Sequence, residues 1–309
     1  MTLNQIRNMV AVAERGSLRS AARFLGVTQP SITRSIRELE HELGVPLFER
    51  RVTGMTLTEM GKALVRRGTA IQHEVRRVHS EIDQLKGHRV GTVTIGLSTV
   101  AHIALLPRVI GGFEKRNPGV RLRITEGLFP AAERELLDGV MDFYVGPLGS
   151  AVRPPEMVVE PLFDNQRMVF ARRGHALANA TSIHELTDAR WAVDALTLVG
   201  GDEMSGLFAE HGAPPPLVVV SGQTSISTIM TVIGSDLLAA LPQQWAPLLE
   251  MTGQVVRLPI REKLAAATMC LISRASLPLT PVAQHLADLF RRAAIHHAHT
   301  LPDSPVLAA

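Results

Sequence analysis

Apolar and polar positions in the first 45 residues repeat with helical spacing in three separate stretches. The first stretch places five apolar residues on one face: Leu3, Ile6, Met9, Val10 and Ala13. Gly16 can end this helix and Ser17 can cap a short second one. Gly26-Val27-Thr28 then reads as a tight turn into a third helix with Pro30 in its first turn. The pattern predicts a small three-helix unit.

The third helix has two contrasting faces. Its apolar face repeats at spacings of four, three and four, through Ile32, Ile36, Leu39 and Leu43. Its outer face is polar and basic, with Gln29, Ser31, Thr33, Arg34 and Arg37. A short helix, a tight turn and a helix with exposed donors is the arrangement of a helix-turn-helix that contacts bases and phosphates. The alternative is the solvated face of a helical bundle, which the turn, the caps and the charge together disfavour.

A hairpin is predicted after this helix. The segment "VPLFERRVTGMTLT" has strand-forming residues on both sides of Thr53-Gly54. Arg50 and Arg51 would lie on this wing and could contact phosphates, although a surface arginine is often without such a role.

A long helix follows from Thr58 to Gly87, a stretch without proline. Its apolar positions follow spacings of seven, four, three, four and three: Leu64, Ile71, Val75, Val78, Ile82 and Leu85. Such a seam is typical of a coiled coil, so we expect a homodimer whose paired recognition helices contact an inverted repeat in double-stranded DNA. The alternative is that the helix packs on the next domain of its own chain.

The segment "SLRSAARFLGVTQPSITRSIRELEHELGVPLFERRVTGMTLTEMGKAL" resembles the LysR-type transcriptional regulators. The shared pattern includes the Ala-Ala pair, Gln-Pro-Ser, Arg-x-Ile-x-x-Leu-Glu, Leu-Phe-x-Arg and Leu-Thr-x-x-Gly. The resemblance implies DNA contacts from Gln29, Pro30, Ser31, Thr33, Arg34 and Arg50. Thr33 stands where the family often has serine, and its added methyl could touch thymine. The resemblance also makes a homotetramer an alternative to the homodimer, and RNA polymerase a further candidate partner.

Charge separates the two ends of the chain. The net charge is +3, but residues 1–90 hold 15 Lys and Arg against 9 Asp and Glu, whereas the remainder holds 17 against 20. The basic end therefore fits a nucleic-acid partner. No apolar run is long enough for a membrane span and the start lacks a secretory pattern, so we expect a soluble, cytoplasmic protein.

The rest of the chain alternates strands with helical stretches, which predicts an α/β unit. The predicted strands are "GTVTIGLS", "VRLRITEG", "DFYVG", "MVFARR", "WAVD", "LVVVSG", "LLAALP" and "AAATMCLIS". Gly146–Gly149 with the following "RPPE", and later Pro259, are read as two crossings between lobes. The resemblance implies an effector domain with a two-lobed, periplasmic-binding-protein-like fold.

The predicted organisation is multidomain. A winged helix-turn-helix domain, otherwise all α-helical, covers residues 1–58 and a dimerising linker helix covers 59–88. The effector domain covers 89–309. Its first lobe is assigned to about 91–147 and 265–295, and its second to about 148–260.

Ligands of open α/β sheets bind at the carboxyl ends of strands. Ser98 and Thr99 follow the first strand of one lobe, and Thr224 and Ser225 hold the equivalent place in the other. Four further residues would line or hinge the cleft: Phe129, Val145, Gly146 and Pro147. We expect a small organic anion, a carboxylate or sulfonate, and the "GLFP" loop at 127–130 suggests an aromatic one. The alternative is that the four hydroxyls only cap helices.

Two other classes of protein compete with a regulator. An enzyme is disfavoured because the chain lacks the P-loop, GxGxxG, GxSxG and HExxH motifs. A solute-binding protein would have no use for the first 90 residues. We expect no cofactor and no metal: Cys270 is the single cysteine and reads as a buried strand thiol, and the tail residues His296, His297 and His299 lack neighbouring carboxylates.

Overall fold

A computed structural model describes residues 1–51, 54–127, 129–148, 154–194 and 203–300. Residues 1–90 and 134–141 form one compact unit, and the other described residues form a second. No helix in these ranges is long and apolar enough to cross a membrane.

The amino-terminal unit begins with three helices and a hairpin. Its elements are α1 (Leu3–Arg15), α2 (Leu18–Leu25), α3 (Gln29–Leu43), β1 (Phe48–Arg51), β2 (Gly54–Leu57) and α4 (Glu59–Leu85). Ser17 and Thr28 cap α2 and α3 as predicted. Gly26 adopts φ 67° at the end of α2, a left-handed conformation that suits glycine. The chain therefore makes the tight turn that the sequence indicates.

One apolar core holds this unit together. It contains Met9, Ala11, Val12, Ala21, Ala22, Ile32, Ile36, Leu39 and Leu47. The predicted inner face of α3 is thus buried at Ile32, Ile36 and Leu39. Leu43 is the exception, being 41% exposed in the last turn before Gly44.

The second unit is α/β. Its strands are β3 (Val90–Leu97), β4 (Gly119–Glu126), β5 (Phe143–Pro147), β6 (Met157–Arg172), β7 (Arg190–Asp194), β8 (Leu217–Gly222), β9 (Ala239–Pro242), β10 (Val255–Arg257) and β11 (Leu264–Arg274). Its helices are α5 (Thr99–Ala104), α6 (Leu106–Arg116), α7 (Phe129–Leu137), α8 (Glu203–Glu210), α9 (Ser225–Ile233), α10 (Ala246–Thr252) and α11 (Pro281–Thr300). The last residues of α7, from 134 onward, belong to the first unit. Short 3-10 turns occur at Ile183–Leu186 and Gln243–Trp245. All eight predicted strands are present in whole or in part.

Two long strands join two lobes within this unit. The main sheet has the order β10-β6-β11-β5-β3-β4, with β9 also paired to β6, while β7 and β8 form a parallel pair. The antiparallel strands β6 and β11 run through both lobes, from the pair Met157–Arg274 to the pair Arg167–Leu264. Each lobe has its own core: one includes Phe163 and Met269, and the other includes Val169 and Leu264.

The positions of the crossings differ from the sequence-based expectation. The sequence predicts the first crossing at Gly146–Gly149 with the following "RPPE", where 149–153 lie outside the described residues. The core contacts instead keep β6 in the first lobe as far as Phe163 and in the second from Val169. The return lies between Leu264 and Met269, after Pro259 rather than at it. The sequence pattern did not predict the first half of β6, because proline is rare inside a sheet and Pro161 lies there. In the structure Pro161 pairs with Cys270 of β11.

Candidate nucleic-acid interface and effector cleft

The predicted contact residues of α3 share one open surface. Thr28 starts the helix by accepting a hydrogen bond from the Ser31 amide at 3.4 Å. An open depression on the outer face is lined by Gln29, Pro30, Thr33, Arg34, Arg37 and Glu38. Ser31 is exposed on the same first turns of the helix. The structure therefore brings the α3 members of the predicted set together.

Two of these side chains have partners within the helix. The Thr33 hydroxyl donates to the Gln29 carbonyl oxygen at 3.0 Å, which leaves the hydroxyl oxygen available as an acceptor. Arg34 Nε lies 2.7 Å from Glu38 Oε1, and the arginine side chain is 83% exposed. An exposed pair of this kind adds little stability, but it gives the guanidinium a preferred direction. Sequence reasoning missed Glu38, although its i,i+4 spacing from Arg34 was a usable signal.

Residues outside the predicted set fix the wing against α3. Glu40 Oε1 accepts hydrogen bonds from the amides of Leu47 and Phe48 at 2.8 and 3.3 Å. Thr58 donates to the Pro46 carbonyl oxygen at 2.8 Å and caps α4. A Cβ on Gly61 would collide with the Leu47 carbonyl oxygen, so only glycine fits there. These three residues occupy the Leu-Glu and Leu-Thr-x-x-Gly parts of the quoted motif.

The wing itself forms the expected hairpin. β1 pairs antiparallel with β2 from Phe48–Leu57 to Arg51–Gly54. The side chains of Arg50 and Arg51 lie outside the described residues, so their phosphate contacts stay a prediction.

The long helix α4 divides into two parts. Leu64 packs against the amino-terminal core, and a Cβ on Gly68 would lie 2.9 Å from Ile6 Cγ2. Leu64 is half-buried on this core, so only part of its side chain remains for the predicted dimer seam. Farther along the helix, Val78, Ile82 and Leu85 are 52%, 46% and 73% exposed, and Ile71 and Val75 are half-buried.

The four predicted effector-binding hydroxyls all take part in local hydrogen bonds. Ser98 is buried and caps α5 by accepting from the Ala101 amide at 3.3 Å. Thr99 donates to Glu126 Oε1 at 3.1 Å. Thr224 is exposed and caps α9, while buried Ser225 donates to Asp194 Oδ2 at 3.0 Å. Thr99 and Thr224 are thus the more accessible hydroxyls.

Aromatic side chains pack on β5. The ring of buried Phe129 lies 6.0 Å from the ring of Tyr144, tilted by 55°. Tyr144 donates to the Gly127 carbonyl oxygen at 3.2 Å, and a Cβ on Gly146 would collide with the Tyr144 ring. Burial raises the pKa of Tyr144, so its phenol remains a donor. Sequence reasoning missed Tyr144.

Two of the remaining predicted lining residues have different surroundings. Val145 points into the core of the first lobe, so we remove it from the lining set. Pro147 ends β5 and is half-buried.

A cation that the sequence did not single out lies in the second lobe. Arg167 is 7% exposed on β6 and donates from Nη1 to the Ala240 carbonyl oxygen at 3.1 Å. It pairs with Pro242 at the carboxyl end of β9. With Arg257, Glu262 and apolar neighbours it lines a cavity of about 330 Å³. Arg167 therefore supplies a buried positive charge beside the carboxyl end of β9.

The single cysteine and the tail histidines lie on different elements. Burial raises the pKa of Cys270 on β11 to about 11, so its thiol stays protonated at neutral pH. His296, His297 and His299 lie on α11, and His297 is buried. Within the described ranges no cluster of three or more histidine, cysteine and acidic side chains could hold a metal.

Two family models match the chain. Residues 3–62 match the "Bacterial regulatory helix-turn-helix protein, lysR family" and residues 86–295 match the "LysR substrate binding domain". Together the matches take in the helix-turn-helix, the wing, and most of the two-lobed unit.

Several individual proteins are similar to this chain over most of its length. The chain is 25% identical over 280 residues to the HTH-type transcriptional regulator TdcA of Escherichia coli (strain K12), covering 90% of this chain and 88% of TdcA. It is 31% identical over 245 residues to the HTH-type transcriptional regulator CfxR of Cupriavidus necator, covering 77% and 76%. Among solved structures, full-length CbnR with its target DNA has a TM-score of 0.71 at 19% identity, covering 95% of this chain and 100% of CbnR. A full-length OxyR variant from Pseudomonas aeruginosa has a TM-score of 0.66 at 21% identity, covering 95% and 94%.

Proposed function

Since this chain belongs to the LysR family of DNA-binding transcriptional regulators, we propose that it binds an inverted repeat as a dimer and responds to a small organic anion. The observation that carries the DNA-binding part is the exposed face of α3. Arg34 and Arg37 lie there beside the polar side chains of Gln29 and Thr33. Such a face can place guanidinium groups against phosphates or guanine edges in the major groove. CbnR, which shares this fold, was solved with its target DNA.

The second half of α4 supports the dimer. Val78, Ile82 and Leu85 form an exposed apolar stripe at spacings of four and three. A matching stripe on a second copy would bury these side chains in a coiled coil. Two recognition helices would then face half-sites related by twofold symmetry.

The two lobes support the response to an anion. The carboxyl ends of β3 and β8 carry Thr99 and Thr224, and Arg167 adds buried positive charge in the second lobe. A carboxylate or sulfonate would match this positive charge. Phe129 and Tyr144 are 1% and 0% exposed and pack on each other, so they support no choice between aromatic and aliphatic acids. Binding of the acid would change the angle between the lobes and hence the geometry of the oligomer on DNA. RNA polymerase would be a further protein partner of the DNA-bound oligomer.

DNA binding is tested by incubating purified protein with genomic fragments and sequencing those retained. We expect fragments that share an inverted repeat. Arg34→Ala should weaken binding and make the salt dependence of the affinity shallower if a phosphate contact is lost. Arg292→Ala removes the same charge from an exposed position of α11 and serves as the matched control. Equal retention by the Arg34 variant and the control would overturn the role of α3.

Effector binding is tested by calorimetry with aromatic and aliphatic acids. We expect saturable binding of at least one acid, and we expect Thr99→Ala to weaken it while the exposed control Ser276→Ala does not. Absence of binding by every acid, or equal affinity in the two variants, would contradict the assignment of this cleft.

A further inference from the structure

Three buried polar side chains meet where the two lobes join. Asn165 lies on β6 at the crossing, Gln244 lies in the 3-10 turn after β9 of the second lobe, and His297 lies on α11 of the first. They are 6%, 6% and 9% exposed. Gln244 Nε2 is 3.0 Å from Asn165 Oδ1 and 3.2 Å from His297 Nε2. One amide group therefore bridges both lobes and the strand between them.

The geometry fixes where the protons are. An amide nitrogen only donates, so Asn165 Oδ1 and His297 Nε2 must both accept. His297 can accept at Nε2 only when that nitrogen carries no proton, which requires the neutral imidazole. The single oxygen of the bridging amide, Gln244 Oε1, is buried and has no hydrogen-bond partner among the described residues.

We propose that Gln244, Asn165 and His297 form a proton-controlled latch between the lobes, closed while His297 is neutral. When Nε2 gains a proton it becomes a donor and faces the donor group of Gln244. The amide can restore a hydrogen bond by rotating its unpaired Oε1 toward the imidazolium. That rotation withdraws the amide nitrogen from Asn165 and so breaks the bond to the crossing strand.

The surroundings of His297 oppose protonation. Burial lowers its pKa, and the positive charge of Arg108 on α6 and the neighbouring His296 lower it further. The Phe163 ring packs edge-on against the imidazole with centroids 5.0 Å apart, and this contact restricts rotation of the His297 ring. The latch is therefore closed at neutral pH and opens as the pH falls below the ordinary histidine range.

Trp245 provides the readout because it directly follows Gln244. The full chain carries two tryptophans, so Trp191→Phe leaves Trp245 as the sole tryptophan, which can be excited selectively at wavelengths where the one tyrosine does not absorb. We expect its fluorescence to change sigmoidally as the pH falls below about 6.5, the ordinary value for histidine. His297→Gln should abolish the transition, and His296→Gln, the matched control on the same helix, should keep it. A transition that survives in His297→Gln would overturn the latch.

A second variant should raise the pH at which His297 gains its proton. Gln244→Glu places a carboxylate beside the imidazole, which favours the imidazolium and should move the midpoint upward by about 1–3 pH units. In the parent chain, hydrogen exchange of the 163–168 segment should follow the midpoint of the fluorescence change, because Asn165 Oδ1 loses its bond from Gln244 and keeps only the bond from the Gln166 amide at 2.9 Å. An unchanged or lowered midpoint in Gln244→Glu contradicts the proposal even if His297→Gln fails to fold.

Discussion

At the scale of single residues, the candidate interface depends on how each polar side chain of α3 is held. Thr33 is tied to the helix backbone and Arg34 to Glu38, so neither is a freely rotating surface group. Side chains that are already oriented lose less conformational entropy when they bind. Glu38 also places a negative charge on the surface proposed to contact phosphates, so it should restrain binding to unrelated DNA.

Glu38→Gln tests this restraint. The change removes the charge and the ion pair with Arg34, so we expect affinity for random duplex to rise severalfold, by about 1 kcal/mol. The ratio of specific to random affinity should fall, as measured by fluorescence anisotropy at fixed salt. Glu14→Gln makes the same charge change at an exposed position of α1. A Glu38 variant that behaves like the Glu14 variant would refute the assignment.

A single glycine also sets the position of the wing. Gly61→Ala would push a Cβ into the Leu47 carbonyl oxygen, which is backbone and cannot move aside cheaply. We expect a loss of about 2–3 kcal/mol in the free energy of unfolding, because a tightly packed site resists added volume. Urea denaturation measures it. Gly111→Ala, where the added methyl meets open space in α6, should be neutral or stabilising.

At the scale of elements, local signals predicted most of the amino-terminal unit. Ser17, Gly26 and Thr28 act on the adjacent backbone, so the caps and turn could be read directly. Leu64 shows the limit of this reasoning: its spacing fits a coiled-coil seam, but its side chain is partly buried against the core of its own unit, where α1 packs against α4. The hydrophobic period identifies a buried face without identifying what covers it.

A charged substitution in the exposed second half of α4 tests whether this helix forms the dimer. Ile82→Glu places a charge in the middle of the apolar stripe, where a coiled coil would have to desolvate it. We expect the dimer to dissociate at micromolar concentration, measured by sedimentation equilibrium, with a parallel loss of affinity for the full inverted repeat. His79→Glu, on an exposed neighbouring position, should leave assembly intact. If the Ile82 variant assembles like the parent protein, dimerisation depends on a surface other than this stripe of α4.

At the scale of the whole molecule, the lobes are joined by contacts between distant parts of the chain. The α/β alternation predicted the fold class, but the crossings depend on pairing of β6 with β11, which no local pattern reports. In the same way, no local motif marks Asn165, Gln244 and His297 as neighbours. Their polar side chains are isolated in sequence and become a group only when the lobes are assembled.

The pH dependence of stability tests the assembled molecule. Because the pKa of His297 is lowered in the folded protein, the unfolded chain takes up this proton more readily. The contribution to stability is therefore complete above the unfolded pKa and is lost as the pH falls toward the folded value. We expect the free energy of unfolding, from urea titrations at pH 7.5 and 5.5, to fall more in the parent protein than in His297→Gln. Comparing the two proteins cancels the carboxylates that they share, so parallel losses would mean that His297 is as easily protonated in the folded molecule as in the unfolded chain.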